Sequence, residues 1–200
     1  MQLKGDNLAC SRGGREVFVG INFSLSGGEA LLVTGRNGAG KSSLLRAIAG
    51  LVRLTAGRLD FEGGDGDAGI GEQAHYLGHQ DAAKPSLTVR ENLEFWARYL
   101  GAGKEGIETA LEAVGLAPLA DLPAAYLSAG QRRRLSIARL VAVERPIWLL
   151  DEPTSSLDAP SQKRLAGQMR DHLASGGMIV AAAHGPIGLE RARELKLGAP

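Results

Sequence analysis

The chain has 200 residues, 44% hydrophobic and 22% charged, enough for one domain with a sizeable core and an inserted subdomain. Lys and Arg number 23 against 22 Asp and Glu, so the net charge of +1 makes no electrostatic case for nucleic acid as a partner. One cysteine, Cys10, excludes an internal disulfide framework or a cysteine-cluster metal site, and no apolar run approaches the ~20 residues that span a bilayer. The single cysteine fits a reducing cytoplasm, and the opening MQLKGDNLACS lacks the apolar core of a signal peptide, so any membrane role is expected to be peripheral.

In chain order, Gln2 to Ala9 reads as a first edge strand and Cys10 to Arg15 as a turn. Val17, Val19, Ile21, Phe23 and Leu25 then alternate with small or polar residues, the two-residue period of a half-buried strand. Gly27-Gly28 turns the chain into the apolar run Ala30 to Val33, which feeds GRNGAGKSS, Gly35 to Ser43. Leu44 to Ala49 continues as a helix. Strand, glycine loop and helix match the G-x-x-x-x-G-K-[ST] phosphate loop, so the stretch is read as a nucleoside-triphosphate site. Gly35, Gly38 and Gly40 allow positive φ, which lets the N–H groups of Arg36, Asn37, Ala39 and Ser43 turn inward around an anion. The helix dipole points at the same place. Lys41 is expected to reach the β/γ-phosphates and Ser42 to ligate Mg²⁺.

Gly57 to Glu62 reads as a further strand and Gly63 to Gly71 as a surface turn. From Thr88 to Leu122 the period becomes helical, through Leu93, Trp96, Leu100, Ile107, Leu111 and Val114. Core packing accounts for at least one of Phe95 and Trp96, and a partner-binding groove is the alternative for Trp96. Ile147 to Leu150 and Met178 to Ala183 are continuous apolar runs that suit parallel strands covered on both faces. The expected fold is α/β: a phosphate-loop NTPase core with a mixed, largely parallel sheet and helices on both faces, an amino-terminal antiparallel β part and an inserted helical subdomain. One domain, 1–200, is expected, with 1–78 and 145–200 forming the core and about 79–144 the helical subdomain.

Asp151-Glu152 ends the first of those apolar strands. Two adjacent carboxylates there are costly to bury without a cation or donor, which places Asp151 beside Mg²⁺ and Glu152 beside an attacking water. Ser128, Ala129, Gly130 and Gln131 open a helix from Arg132 to Val141, making a second anion-binding helix terminus. One nucleotide needs only one such terminus, so a dimer with each terminus facing the other copy's γ-phosphate is expected. Arg132, Arg133 and Arg134 read as solvated helix surface for at least two of the three, with a phosphate-facing or lipid-facing role the alternative.

GRNGAGKS, LSAGQ and LLDEPTSSLD, followed by a lone histidine after an apolar strand, resemble in order the ATP-binding subunit of an ABC transporter. The resemblance implies ATP and Mg²⁺ as ligands. It makes Glu152 the catalytic carboxylate and His184 the γ-phosphate sensor, sets Ser128, Gly130 and Gln131 against the ATP of a second copy, and places Asp158 in a dimer contact. The family's base-stacking aromatic falls on Arg12 here, whose guanidinium plane can also stack. The switch-loop glutamine falls on the pair His79 and Gln80, with Gln80 the metal-side candidate.

Tyr76-Leu77-Gly78-His79, Lys84 to Val89 and Glu91 to Trp96 resemble the group that serves cytochrome c maturation through haem delivery. That resemblance implies integral membrane subunits as partners, at the cytoplasmic face of a bacterial inner membrane. No residue of this chain reads as a haem ligand site, so no direct haem contact is expected. The end at Pro200 is expected to leave no room for an accessory carboxyl-terminal domain. The alternatives are the ATPase of a small drug, lipid or polysaccharide exporter, or a soluble ABC ATPase acting on ribosomes or nucleic acid; near-neutral charge and the lack of a basic arm stand against the last.

Overall fold

Alternating patterning at the start of the chain becomes a three-stranded antiparallel sheet of order β2-β1-β4, formed by β1 (Gln2–Arg12), β2 (Arg15–Ser26) and β4 (Ala56–Glu62). In the computed structural model, which describes residues 1–198, β1 runs past Ala9 to Arg12, so the turn shrinks to Gly13-Gly14. The simple alternation in β2 also fails around Gly20. Leu8 pairs with Ile21 but Cys10 with Phe18, so β2 carries one extra residue there, and Gly20 takes φ 67°. A bulge of this kind moves later side chains to the opposite face. Phe18 is buried as a result, and Val19, expected to face inward, is 58% exposed.

The second sheet is parallel in every described pairing, with order β5-β6-β7-β3-β8: β3 (Ala30–Thr34), β5 (Ala74–Leu77), β6 (Ile147–Asp151), β7 (Met178–Ala182) and β8 (Arg193–Lys196). All five residues of β6 and of β7 are buried, as expected of strands with both faces covered. β5 and β8 escape a hydropathy reading because each has four residues and carries charged or ring-polar groups. Leu3, Leu25, Val33, Leu44, Ile48, Leu149 and Val180 are among the residues of one apolar core. Because the strands are parallel, their carboxyl ends share one edge, and the loops after β3, β6 and β7 start there.

The chain divides into two compact units. The first holds Met1–Gly78, Arg145–Pro153 and Met169–Pro200, with both sheets and α1 (Lys41–Ile48). The second holds His79–Glu144 and Thr154–Gln168, so Thr154–Gln168, expected with the core, groups with the helical part. It contains α2 (Val89–Tyr99), α3 (Ile107–Ala113) and α4 (Ala129–Ala142). Helix α5 (Ala159–Ala174) begins in the second unit and ends in the first. Thr88 caps α2, accepting from the Glu91 N–H while the Glu91 carboxylate accepts from the Thr88 N–H, a complete capping box.

Candidate active site

In the first unit, the phosphate loop takes the backbone its glycines permit. Gly35, Gly38 and Gly40 have φ 142°, 80° and 98°. A Cβ on Gly40 would come within 2.8 Å of Val17, and one on Gly35 within 2.5 Å of the Leu197 carbonyl oxygen. Neither position has space for a side chain, and both conformations are strained for one. Helix α1 starts at Lys41, directly after Gly40.

Lys41 is 8% exposed, and its three N–H donors have three acceptors: Gly35 O at 2.8 Å, Arg36 O at 3.3 Å and His184 Nε2 at 3.4 Å. An ammonium can only donate, so Nε2 of His184 accepts and the ring hydrogen sits on Nδ1. The same Nε2 lies 3.7 Å from Glu152 Oε1. Ser42 Oγ donates to Asp151 Oδ1 at 2.9 Å, and Asp151 is 3% exposed. Glu152 follows with φ 48°, a conformation that costs a non-glycine residue roughly 1–3 kcal/mol. Its N–H donates to Ala182 O at 2.8 Å, which fixes it to the end of β7. Val17, Asn37, Gly38, Gly40, Lys41, Ser42, Ser43, Asp151, Glu152 and His184 line one open cleft of about 420 Å³.

The structure thus brings together the phosphate loop, Asp151, Glu152 and His184. Arg12 is exposed at the end of β1 and does not line the cleft, whose aliphatic wall is Val17. Sequence reasoning took Val17 only as one of the alternating positions of β2. It also missed Leu197, because a short polar strand gives no hydropathy signal.

The remaining expected residues lie in the second unit. Ser128 caps α4: its hydroxyl accepts from the Gln131 N–H at 3.2 Å, and Gln131 Oε1 accepts from the Ser128 N–H at 2.8 Å. A Cβ on Gly130 would approach the Ser156 carbonyl oxygen at 2.9 Å, a physical reason for glycine there. Asp158 accepts from the Ser161 N–H at 2.9 Å, and hydrogen bonds from Ser161 hold its carboxyl below the usual carboxylate range. His79 and Gln80 are both exposed.

The basic run departs from expectation. Arg133 is 2% exposed with Nη1 3.4 Å from Asp81, Arg134 donates to the carbonyls of Val114 and Gly115, and Arg132 donates to the Leu127 carbonyl. All three are bonded within the unit instead of forming a solvated face. Phe95 is 37% exposed, whereas Trp96 is half-buried and donates its indole N–H to Ala82 O at 3.1 Å.

The sequence model of the ABC transporter family matches residues 18–155. A cytochrome c biogenesis ATP-binding export protein, CcmA, from Rhodopseudomonas palustris (strain BisB5) is 61% identical over 199 residues, covering 100% of this chain and 99% of its own. Among solved structures, an ATP-binding subunit of an ABC transporter superposes with a TM-score of 0.88 at 24% identity, covering 98% of this chain and 86% of that one. A dimeric ATP-binding cassette in a post-hydrolysis state, bound to ADP and Pi, gives 0.84 at 23% identity over 98% and 94%. The solved structures establish the fold. With the family pattern spanning most of its length and a full-length relative at 61% identity, the chain belongs to the ABC transporter family.

Proposed function

We propose that this chain is the ATP-hydrolysing subunit of an ABC transporter that drives haem export or delivery for c-type cytochrome biogenesis, working as a dimer. One observation carries the reading: Lys41, Ser42, Asp151, Glu152 and His184 line a single cleft, in a chain 61% identical over its full length to a cytochrome c biogenesis ATP-binding export protein.

The backbone N–H groups of Gly35 to Ser43 and the Lys41 ammonium bind the β- and γ-phosphates, offsetting charge as the terminal phosphoryl group transfers. Glu152 accepts a hydrogen bond from the attacking water and orients it, and His184 faces the γ-phosphate. Arg12 lies outside the cleft, where Val17 forms the aliphatic wall, so the base-stacking role expected of it is not carried over. Mg²⁺ fits the donor chemistry present: Ser42 Oγ and Asp151 Oδ1 are hard oxygens already 2.9 Å apart. Among the described residues no group of three or more His, Cys, Asp or Glu gathers into a metal cage. That suits an ion held by one or two protein oxygens and completed by phosphate and water. When bound, Mg²⁺ neutralises charge developing between the β- and γ-phosphates.

Ser128, Gly130 and Gln131 of a second copy close over the nucleotide, with the α4 amino terminus toward the γ-phosphate. No helix among the described residues is long and apolar enough to cross a membrane. The likeness to a cytochrome c biogenesis ATP-binding export protein supports a position against integral membrane subunits at the cytoplasmic face of the inner membrane. Haem is handled by those partners and not by this chain.

The test is ATP hydrolysis by the purified chain and its Glu152→Gln variant. Turnover should fall at least ~100-fold with ATP binding retained. A variant hydrolysing at the parent rate would remove Glu152 from its role.

A further inference from the structure

The Asp151 carboxylate has a partner on each oxygen. Ser42 Oγ donates to Oδ1 at 2.9 Å, and the Tyr76 hydroxyl lies 3.4 Å from Oδ2. Tyr76 stands on β5 in register with Leu149 of the neighbouring β6, two residues before Asp151. Its side chain leans along the strand toward the edge where Asp151 sits. The same hydroxyl is 3.0 Å from Nε of Arg46. Arg46 follows Ser42 by four residues on α1, so one helix face presents both groups.

The direction of each bond follows from donor chemistry alone. A guanidinium has no acceptor, so Arg46 donates to the tyrosine oxygen. A phenol has one hydrogen, and an ionised carboxylate can only accept, so that hydrogen points at Asp151. The positive charge on Arg46 polarises the O–H toward the carboxylate, as successive hydrogen bonds do. Space for this contact depends on Gly78: a Cβ there would stand 3.0 Å from the Tyr76 ring and 3.3 Å from its hydroxyl oxygen.

We propose that Tyr76, braced by Arg46, is a positioning residue that orients the Asp151 carboxylate for the divalent cation. The inference rests on the assignment of Asp151 to the metal side of the nucleotide. Ser42 and Tyr76 together fix both oxygens, so the carboxylate plane is set before the cation arrives. Partners one step removed from a metal commonly account for 10–100-fold in metal affinity. The 3.4 Å separation is long for a hydroxyl donor, which places the expected effect near the lower end.

The probe is Mn²⁺, read by electron paramagnetic resonance in the presence of a non-hydrolysable ATP analogue. Tyr76→Phe keeps the ring and removes only the hydroxyl. It should weaken Mn²⁺ binding about tenfold while leaving both the affinity for the analogue in EDTA and the melting temperature unchanged. Arg46→Gln should shift Mn²⁺ affinity in the same direction by a smaller factor, because Tyr76 remains. Asp151→Asn should weaken it more than either. Parent-like Mn²⁺ affinity in Tyr76→Phe, with a loss in Asp151→Asn, would overturn the role of Tyr76 and leave the site intact. Parent-like affinity in Asp151→Asn as well would overturn the metal assignment itself.

Discussion

The two units hold their charged side chains for opposite purposes. In the first, Lys41 at the start of α1, Asp151 and Glu152 at the end of β6 and His184 after β7 converge on an open cleft. In the second, Arg133 and Arg139 are almost wholly buried, and their partners are structural. Arg139 stacks on Trp96 at 4.4 Å from the ring centroid, and Arg133 reaches Asp81. Burial, with the charge of Arg133 second, pushes Arg139 down to about 10, and Asp81 pulls the other way. Residues 81–84 are tied down by the same surroundings: Asp81 O accepts from Ser136 Oγ at 2.5 Å, Ala82 O from Trp96, and Lys84 both donates to and accepts from Asn92. A charge facing a cleft is available to a ligand. A charge inside a helical packing holds a loop in place, and sequence alone does not separate the two cases.

The comparison can be broken by removing one group from each side. Lys41→Ala should lower ATP affinity at least ~10-fold by calorimetry, since a charge-assisted contact to phosphate is lost, with little change in melting temperature. Unchanged affinity would make Lys41 a structural cation like those of the second unit. Asn92→Ala should do the reverse. This side chain is 1% exposed, takes the Lys84 N–H at 2.7 Å and donates to the carbonyls of Lys84, Leu87 and Thr88. Its removal should cost roughly 2–3 kcal/mol in denaturant unfolding and leave nucleotide affinity as it was.

The smallest effect comes from His172, a structural group within the first unit. Its ring stacks on Trp148 with centroids 4.0 Å apart, and Nε2 lies 3.3 Å from Met178 O. Burial lowers its pKa below 6.5, opposed by hydrogen bonds to the carbonyls of Met178 and Pro146. The folded chain thus binds fewer protons here than the unfolded one, so stability falls as pH drops below 6.5 and levels off once the folded group has titrated. His172→Phe keeps the stack and should flatten that slope in pH-dependent unfolding. An unaltered slope would assign it to other groups.

The phosphate loop could be read from spacing because its chemistry requires glycines, lysine and serine in one order. Asp151-Glu152 could be read because a carboxylate pair after the four apolar residues Ile147 to Leu150 needs a partner. What could not be read depends on contacts distant in sequence. The bulge at Gly20 changes which face Phe18 occupies without leaving a mark on hydropathy. Arg133 resembles its neighbours in the run and differs only in having Asp81 fifty-two residues away in sequence. Tyr76 stood out in the sequence only as part of a family resemblance, and its contact with Asp151 needs the parallel register of β5 on β6. Strand β8 is short and charged, yet it brings the Leu197 carbonyl against Gly35.

The central claim is that two copies close over ATP through Lys41 and the γ-phosphate on one side and the Ser128 helix terminus on the other. Light scattering of Glu152→Gln in saturating ATP and Mg²⁺ tests it directly. The account predicts a doubling of mass relative to the nucleotide-free chain, and a mass that stays at one copy would contradict it.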